Sequence, residues 1–192
     1  MVVAVTPDIV DLARRAAAGE TVAADALLRE LEPLVVRTVR LVVGSGSWTA
    51  EDAAQEALLD IDRDIHALRD PRALRAWALR VATQRALKVS RRDRLLWLRR
   101  APKLDPELLA ESGGLEVGRS TAIKAAFDRL PPRLRATAVL RLYVGLSEDE
   151  AAQALGCSLG TVKSNLHDAR RRLVRELRER GFEPTTLPRE AT

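Results

Sequence analysis

The chain has 192 residues, enough for one or two domains, and 32 basic against 27 acidic residues give a net charge of +5. Hydrophobic residues make up 46% of it but aromatic residues only 3%, which favours helices that pack through small side chains. The lone Cys157 excludes an internal disulfide and a cysteine-based zinc site. No apolar run is long enough to span a membrane and no signal peptide is visible, so we expect a cytoplasmic protein without membrane contact.

Two helices are predicted near the N-terminus. Thr6–Asp8 is typical of a helix start, with a cap, a proline and an early acid, and Gly19 predicts the end of that helix. Thr21 is the expected cap of the second helix, in which Pro33 should cause a kink or a break. The glycine–serine stretch 44–47 predicts a loop.

A third helix, which Thr49 is expected to cap, has two unlike faces. Its apolar stripe consists of Ala54, Ala57, Leu58, Ile61 and Ile65. The other face is mostly acidic and carries Glu51, Asp52, Gln55, Glu56, Asp60, Asp62 and Asp64. A charge run of this kind is usually a solvated surface, and a docking surface for a basic partner is the alternative.

The sign of the charge reverses after Pro71. Segment Arg72–Arg100 is strongly basic and contains Asp93 as its one acid. Its apolar positions predict a helix whose inner face includes Trp77, which we therefore expect in the core rather than stacked on a base. The basic face is a candidate for contact with nucleic-acid phosphates.

Prolines and glycines after Arg94 prevent a long helix and predict a flexible linker over 94–118, with a short helical piece at Glu107–Glu111. Leu95–Leu98 is unusually apolar for a linker. An extension of the preceding helix, packing on a domain and contact with a partner all stay open for it. Residues 181–192 contain two prolines and no periodicity, which predicts a frayed tail.

The segment Leu130–Leu177 predicts a helix-turn-helix. Ser147 and Glu150 have the spacing of a capping box, Gly156 predicts a left-handed helix end, and Ser158 predicts the next N-cap. Ala152, Gly156 and Val162 have the four-then-six spacing of this motif.

The second helix of this pair has one apolar and one polar face. The apolar stripe is Val162, Leu166, Ala169 and Leu173. The polar side chains are able to contact base edges or phosphates and comprise Ser158, Thr161, Lys163, Ser164, His167, Arg170 and Arg171. An amphipathic hairpin with a solvated face is the alternative, and the basic run Arg170–Arg172 favours DNA binding.

Three segments carry a resemblance to bacterial sigma factors of the small extracytoplasmic-function (ECF) class. The promoter-binding C-terminal domain of this family resembles LPPRLRATAVLRLYVGLSEDEAAQAL followed by GCSLGTVKSNLHDARRRL. The sigma helix that docks on a coiled coil of the polymerase β′ subunit resembles AEDAAQEALLDIDRDI. The helix that reads the minus-ten promoter element resembles RAWALRVATQRALKVSRR. The motifs occur in the family order, and the resemblance covers about Leu27–Leu177.

The resemblance implies an all-α fold with two small helical domains. Residues 1–93 would form a sigma region 2-like bundle, and residues 119–180 a sigma region 4-like helix-turn-helix domain, joined by the flexible linker 94–118 and followed by the tail. The implied partners are core RNA polymerase, through its β′ coiled coil and β flap, promoter DNA and an anti-sigma factor. Neither a cofactor nor a metal ion is implied.

The resemblance also implies roles for single residues. The polymerase-binding set is Glu51, Asp52, Gln55, Glu56 and Asp60. The minus-ten set is Arg72, Arg80, Gln84, Arg85, Lys88, Arg91 and Arg92. The minus-thirty-five set is the polar face that begins at Ser158. The family usually has Asn in place of Gln84 and Asp in place of Lys88, which implies an unusual minus-ten preference. By position, the resemblance implies that a loop at roughly His66–Arg72 captures a flipped base, and a proline-bounded connection without this role is the alternative.

Two other classes of function are weighed against this one. A stand-alone helix-turn-helix regulator would bind operator DNA as a dimer without polymerase, and the acidic and then basic N-terminal half favours the sigma factor over it. An enzyme would need catalytic residues, and the sequence shows neither a metal cluster, nor a nucleophile with its base, nor a phosphate-binding loop. No catalytic residue is therefore predicted.

Overall fold

Helices account for the regular structure of this chain, as its small apolar residues predict. The computed structural model describes residues 7–44, 49–100 and 115–182, and side chains within 8–44, 49–92 and 121–182. Those ranges contain eight α-helices and no strand, which confirms the all-α prediction. The helices are α1 Pro7–Ala17, α2 Thr21–Val43, α3 Ala50–Asp64, α4 Leu74–Arg100, α5 Leu115–Asp128, α6 Pro132–Ala138, α7 Glu148–Leu155 and α8 Leu159–Glu179.

The start of α2 and the effect of Pro33 differ from the predictions. The N-cap is Glu20, with an extended backbone, and not Thr21. The carboxylate of Glu20 accepts a hydrogen bond from Arg15 Nε at 2.7 Å, which fixes the turn one residue earlier. Helix α2 continues through Pro33 without a break. Pro33 and Arg29 are both exposed, so water can reach the carbonyl that lacks an amide partner.

The helices on either side of the predicted linker are longer than the sequence suggested. Helix α4 continues to Arg100, so the backbone of Leu95–Leu98 extends it, and α5 begins at Leu115. The physical reason is that the first strong helix breaker after α4 is Pro102, and that Gly118 is tolerated inside α5. The predicted cap Thr6, the helical piece Glu107–Glu111 and residues 183–192 lie outside the described residues.

Helix α4 forms the centre of the N-terminal bundle. It packs against α2 and α3, while α1 lies on α2 and on the two short 3-10 turns that precede α4, Ile65–Ala67 and Pro71–Ala73. Its buried face consists of Leu74, Ala78, Leu79, Ala82, Thr83, Ala86, Leu87 and Ser90. The alanines let neighbouring helices approach closely. Trp77 is partly buried against the same core, which confirms its prediction as a core residue.

The helix-turn-helix forms as the sequence predicts. The hydroxyl of Ser147 accepts from the amide of Glu150 at 3.2 Å, and the carboxylate of Glu150 accepts from the amide of Ser147 at 2.7 Å. Gly156 ends α7 with φ +61°, in the left-handed region. The hydroxyl of Ser158 then caps α8 by accepting from the amide of Thr161 at 3.2 Å. The predicted stripe from Val162 to Leu173 is buried.

The two halves of the chain pack on each other. Helix α4 contacts α7 and α6, and α2 contacts α6. One apolar cluster includes Leu31, Val39 and Ala82 from the N-terminal half together with Val139 and Leu155 from the C-terminal half. A smaller cluster around Ala126, Ala138 and Ala169 joins α5, α6 and α8. The sequence did not predict how the halves lie relative to each other.

Arginines cross the junction between the halves in both directions. Arg75 of α4 donates to the carbonyl of Val144 at 2.7 Å. Arg135 of α6 donates to the carbonyl of Val43, the last residue of α2, at 2.8 Å. Arg135 is buried, and its Nη1 atom lies 3.6 Å from a carboxylate oxygen of Asp128. Burial lowers the pKa of the Arg135 guanidinium, and the charge of Asp128 opposes this effect.

Gly44 permits this close contact. It follows α2 with φ +111° and ψ 157°, a conformation that residues with a Cβ rarely adopt. A Cβ atom at this position would lie 2.7 Å from Nη1 of Arg135.

We predict that Gly44→Ala lowers the free energy of unfolding by about 3 kcal/mol, because backbone strain adds to displacement of a buried guanidinium. Gly19→Ala is the matched control, since Gly19 also has a positive φ but nothing lies within 4 Å of the added Cβ. Its cost should be about 1 kcal/mol, from strain alone. Urea unfolding of both variants measures the difference, and equal costs would contradict this account of Gly44.

Candidate nucleic-acid and protein interfaces

The acidic face of α3 is open to solvent. Ala53, Ala57 and Ile61 turn inward and are buried. Four of the predicted polymerase-binding residues are exposed on the other side, namely Glu51, Asp52, Gln55 and Glu56. Leu59 lies one turn further along and is 66% exposed, although its side chain is apolar. Leu59 was not predicted as a member of this face. Its spacing of three from Glu56 and four from Gln55 places it on the same side of the helix and would have identified it. A protein partner that covered this face would bury Leu59 together with the charged side chains around it.

Asp60, the fifth residue of that set, does not lie on the open face. Its side chain is only 16% exposed and forms ion pairs with Arg63 and Arg85. Burial opposes ionisation of Asp60, but hydrogen bonds from Arg85 and Arg63 outweigh it and hold the pKa of Asp60 below its ordinary value. Asp60 is therefore a charged contact between α3 and α4.

A basic stripe is exposed along α4. Arg80, Gln84, Lys88 and Arg91 follow one another at spacings of four, four and three and are all exposed. We call these four residues the α4 stripe. Arg92 is exposed beside it, and Arg72 is exposed in the turn before the helix. Arg85 differs from the others, since its side chain is 21% exposed and bonded to α3. The structure thus separates Arg85 from the rest of the minus-ten set.

The segment between α3 and α4 contains two short 3-10 turns, Ile65–Ala67 and Pro71–Ala73, and is not an open loop. Asp70 caps the second turn, because its carboxylate accepts from the amide of Arg72 at 2.9 Å. His66 and Arg69 are exposed, and Ile65 is buried. Backbone turns therefore present polar side chains next to the start of α4.

The polar face of α8 is also exposed. Thr161, Lys163, Ser164, His167 and Arg171 all reach solvent, and Arg170 is half-buried. Ser158 acts as the N-cap, and its hydroxyl lies 2.9 Å from that of Thr161. Two members of this face form ion pairs. Lys163 lies 3.5 Å from Glu148 of α7, and Arg171 lies 3.7 Å from Asp168.

The arrangement of α7 and α8 is that of a helix-turn-helix pair. The buried Ala152 and Val162 bring the two helices together, and α8 presents its N-terminal turns outward. Hydroxyl, amine and imidazole groups on those turns are able to hydrogen-bond to base edges in a major groove. The structure therefore brings the predicted minus-thirty-five residues together on one surface.

Two family models match this chain. The model described as Sigma-70 region 2 matches residues 27–95, and the model described as Sigma-70, region 4 matches residues 120–173. The ECF RNA polymerase sigma factor SigD of Mycobacterium tuberculosis is 30% identical over 170 residues, covering 84% of this chain and 80% of SigD. The chain belongs to the ECF sigma factors.

Other ECF sigma factors show similar agreement. The RNA polymerase sigma-E factor of Streptomyces coelicolor is 30% identical over 176 residues, or 90% of this chain and 96% of that protein. The ECF RNA polymerase sigma factor SigE of Mycolicibacterium smegmatis is 32% identical over 154 residues, but this match spans only 59% of its length.

Solved structures share the fold of this ECF sigma factor. CnrH in complex with the cytosolic domain of CnrY superposes with a TM-score of 0.63 at 22% identity, covering 90% of this chain and 98% of that one. RpoE of Bartonella quintana, solved with the anti-sigma factor NepR, superposes with a TM-score of 0.63 at 22% identity. The match covers 80% of this chain and 96% of RpoE.

Family membership confirms the predicted sigma factor over the stand-alone regulator. Sigma factors of this class bind core RNA polymerase and direct promoter-specific initiation of transcription, and as a family they are not enzymes. Among the described residues, no helix combines the length and apolarity that crossing a lipid bilayer requires. The domain bounds and the single site residues stay predictions.

Proposed function

We propose that this ECF sigma factor divides its work among three helix faces. The acidic face of α3 docks on the polymerase β′ coiled coil, the α4 stripe engages the minus-ten element, and the polar face of α8 reads the minus-thirty-five element. The observation that carries this proposal is that all three faces are exposed on helices whose opposite faces are buried in the two apolar clusters. The factor acts in the cytoplasm, by recruitment, without catalysis or a cofactor.

The docking role of α3 is supported by charge and by Leu59. Asp52 and Gln55 are exposed on consecutive turns, and the exposed Leu59 continues the same surface. Carboxylates steer a basic partner into the correct orientation, while burial of an apolar side chain supplies affinity. Asp60 takes no part in this contact, because it is engaged between α3 and α4.

The promoter role of α4 is supported by its exposed stripe. Arg80, Lys88 and Arg91 supply cations for phosphates, and Gln84 supplies an amide that is able to bond bidentately to adenine. Gln is one methylene longer than the Asn that the resemblance implies, and Lys88 replaces an acid with a cation. We infer a minus-ten preference that differs from that of typical relatives.

Recognition by two tethered surfaces explains how modest contacts suffice. The faces of α4 and α8 belong to one chain, so binding of one raises the effective concentration of the other at the promoter. The C-terminal half also offers surface to the polymerase β flap, which the family resemblance implies as its partner.

A cavity between the halves suits an anti-sigma factor. It has a volume of about 640 Å³ and apolar walls that include Val36, Phe127 and Tyr143. Arg37 lies over the ring of Tyr143, with 4.7 Å between the guanidinium carbon and the ring centroid, and Arg40 and Lys124 line the same cavity. An amphipathic segment with an apolar face and acidic flanks matches this lining.

We predict that Asp52→Lys weakens binding to core polymerase at least tenfold, since it reverses charge at the centre of the α3 face. Asp25→Lys is the control, because Asp25 is an exposed acid of α2 outside that face. Binding is measured by fluorescence anisotropy of labelled sigma factor titrated with core enzyme. Equal affinities of the two variants would contradict the docking assignment.

We predict that Lys163→Ala combined with Ser164→Ala reduces transcription about tenfold on a promoter that retains its upstream element. On a template without that element the reduction should fall below about twofold, because no base contact remains to be lost. Run-off transcription with reconstituted holoenzyme provides the measurement. Arg178→Ala, at the far end of α8, is the control. Equal losses on both templates would show that α8 does not read this element.

A further inference from the structure

Arg85 is oriented unlike the other cations of α4. Its Nη1 atom donates to a carboxylate oxygen of Glu56 at 2.9 Å, and its Nη2 atom donates to Asp60. Both acceptors belong to α3. The neighbouring Gln84 and Lys88 are exposed to solvent. Arg85 therefore differs from its neighbours in turning toward α3.

Asp60 completes a network that spans the two helices. It also accepts from Nη2 of Arg63 at 2.8 Å, and Arg63 lies 3.0 Å from Asp64. Arg85 and Asp60 are the least exposed members, at 21% and 16% of their side-chain surface. An exposed ion pair contributes little to stability, but removing one partner of a largely buried pair leaves an uncompensated charge.

We propose that Arg85 and Asp60 are positioning residues that fix the rotation of α4 relative to α3, and that neither contacts promoter DNA or polymerase. The α3 face sets the orientation of the bundle on polymerase, and the ion pairs then determine where the α4 stripe points. Glu56 remains 56% exposed, so it is able to face polymerase while it accepts from Arg85. This inference rests on the proposed functions of α3 and α4.

The salt dependence of promoter binding separates a positioning residue from a phosphate contact. The slope of log K against log salt concentration is negative, and a lost phosphate contact reduces its magnitude by about 0.7 to 0.9. Holoenzyme reconstituted with Arg85→Gln should bind a promoter fragment about fivefold more weakly with an unchanged slope. The controls Arg80→Gln and Lys88→Gln should reduce the magnitude of the slope, since both side chains are exposed on the stripe.

The outcomes are distinguishable. If the magnitude of the slope for Arg85→Gln decreases as much as it does for the controls, the positioning role is overturned and Arg85 is a DNA contact. Unchanged slopes for all three variants would instead overturn the proposed promoter role of α4, and the inference would fail with it.

A charge exchange tests the partnership itself. Asp60→Arg and Arg85→Asp should each reduce open-complex formation by holoenzyme about tenfold. The double variant should recover part of this loss, but not all of it, because Arg63 and Glu56 then face like charges. An aspartate at position 85 repels phosphate, so recovery is incompatible with a direct contact to DNA. A double variant no better than the worse single variant would overturn the proposal. If circular dichroism shows that a single exchange unfolds the chain, the salt dependence measured for Arg85→Gln still tests the positioning role.

Discussion

Close packing around α4 is the constraint on which the rest of the structure depends. Small residues at Ala78, Ala82 and Ala86 let α2, α3 and the C-terminal half approach this helix on several sides. A close-packed interior leaves no room for a long polar side chain there. Among the described cations of α4, those of the α4 stripe lie at the edge that this packing leaves open, whereas Arg75 and Arg85 are bonded to neighbouring elements. The packing thus decides which of these cations reach solvent.

Among the described charged side chains, two groups differ in burial and in what they contact. Arg75, Arg135 and Arg85 are largely enclosed and satisfy carbonyls or carboxylates of other elements, so they act within the fold. The side chains of the α4 stripe and most of those on the α8 face reach solvent, although Lys163 and Arg171 also form exposed ion pairs. Net charge alone does not reveal this division, because a buried arginine and an exposed one count equally toward it.

Local signals were readable from the sequence, and contacts between distant residues were not. The capping box at Ser147 and the left-handed Gly156 depend on neighbours within four residues, and both formed as predicted. The N-cap at Glu20 depends on Arg15, and the ion pairs of Asp60 depend on Arg85, which is 25 residues away. Arg135 and Val43 are 92 residues apart. Periodicity identified the faces, but only the fold shows which charged residues are already paired.

We propose that three faces of one chain meet three different targets. The most direct test places a photo-crosslinking amino acid at Gln55, Gln84 or Ser164 in turn and irradiates holoenzyme on a promoter. We expect a crosslink from Gln55 to the β′ subunit, from Gln84 to DNA at the minus-ten element, and from Ser164 to DNA at the minus-thirty-five element. Crosslinks from Gln84 or Ser164 to protein alone, or from Gln55 to DNA, would contradict this division of targets.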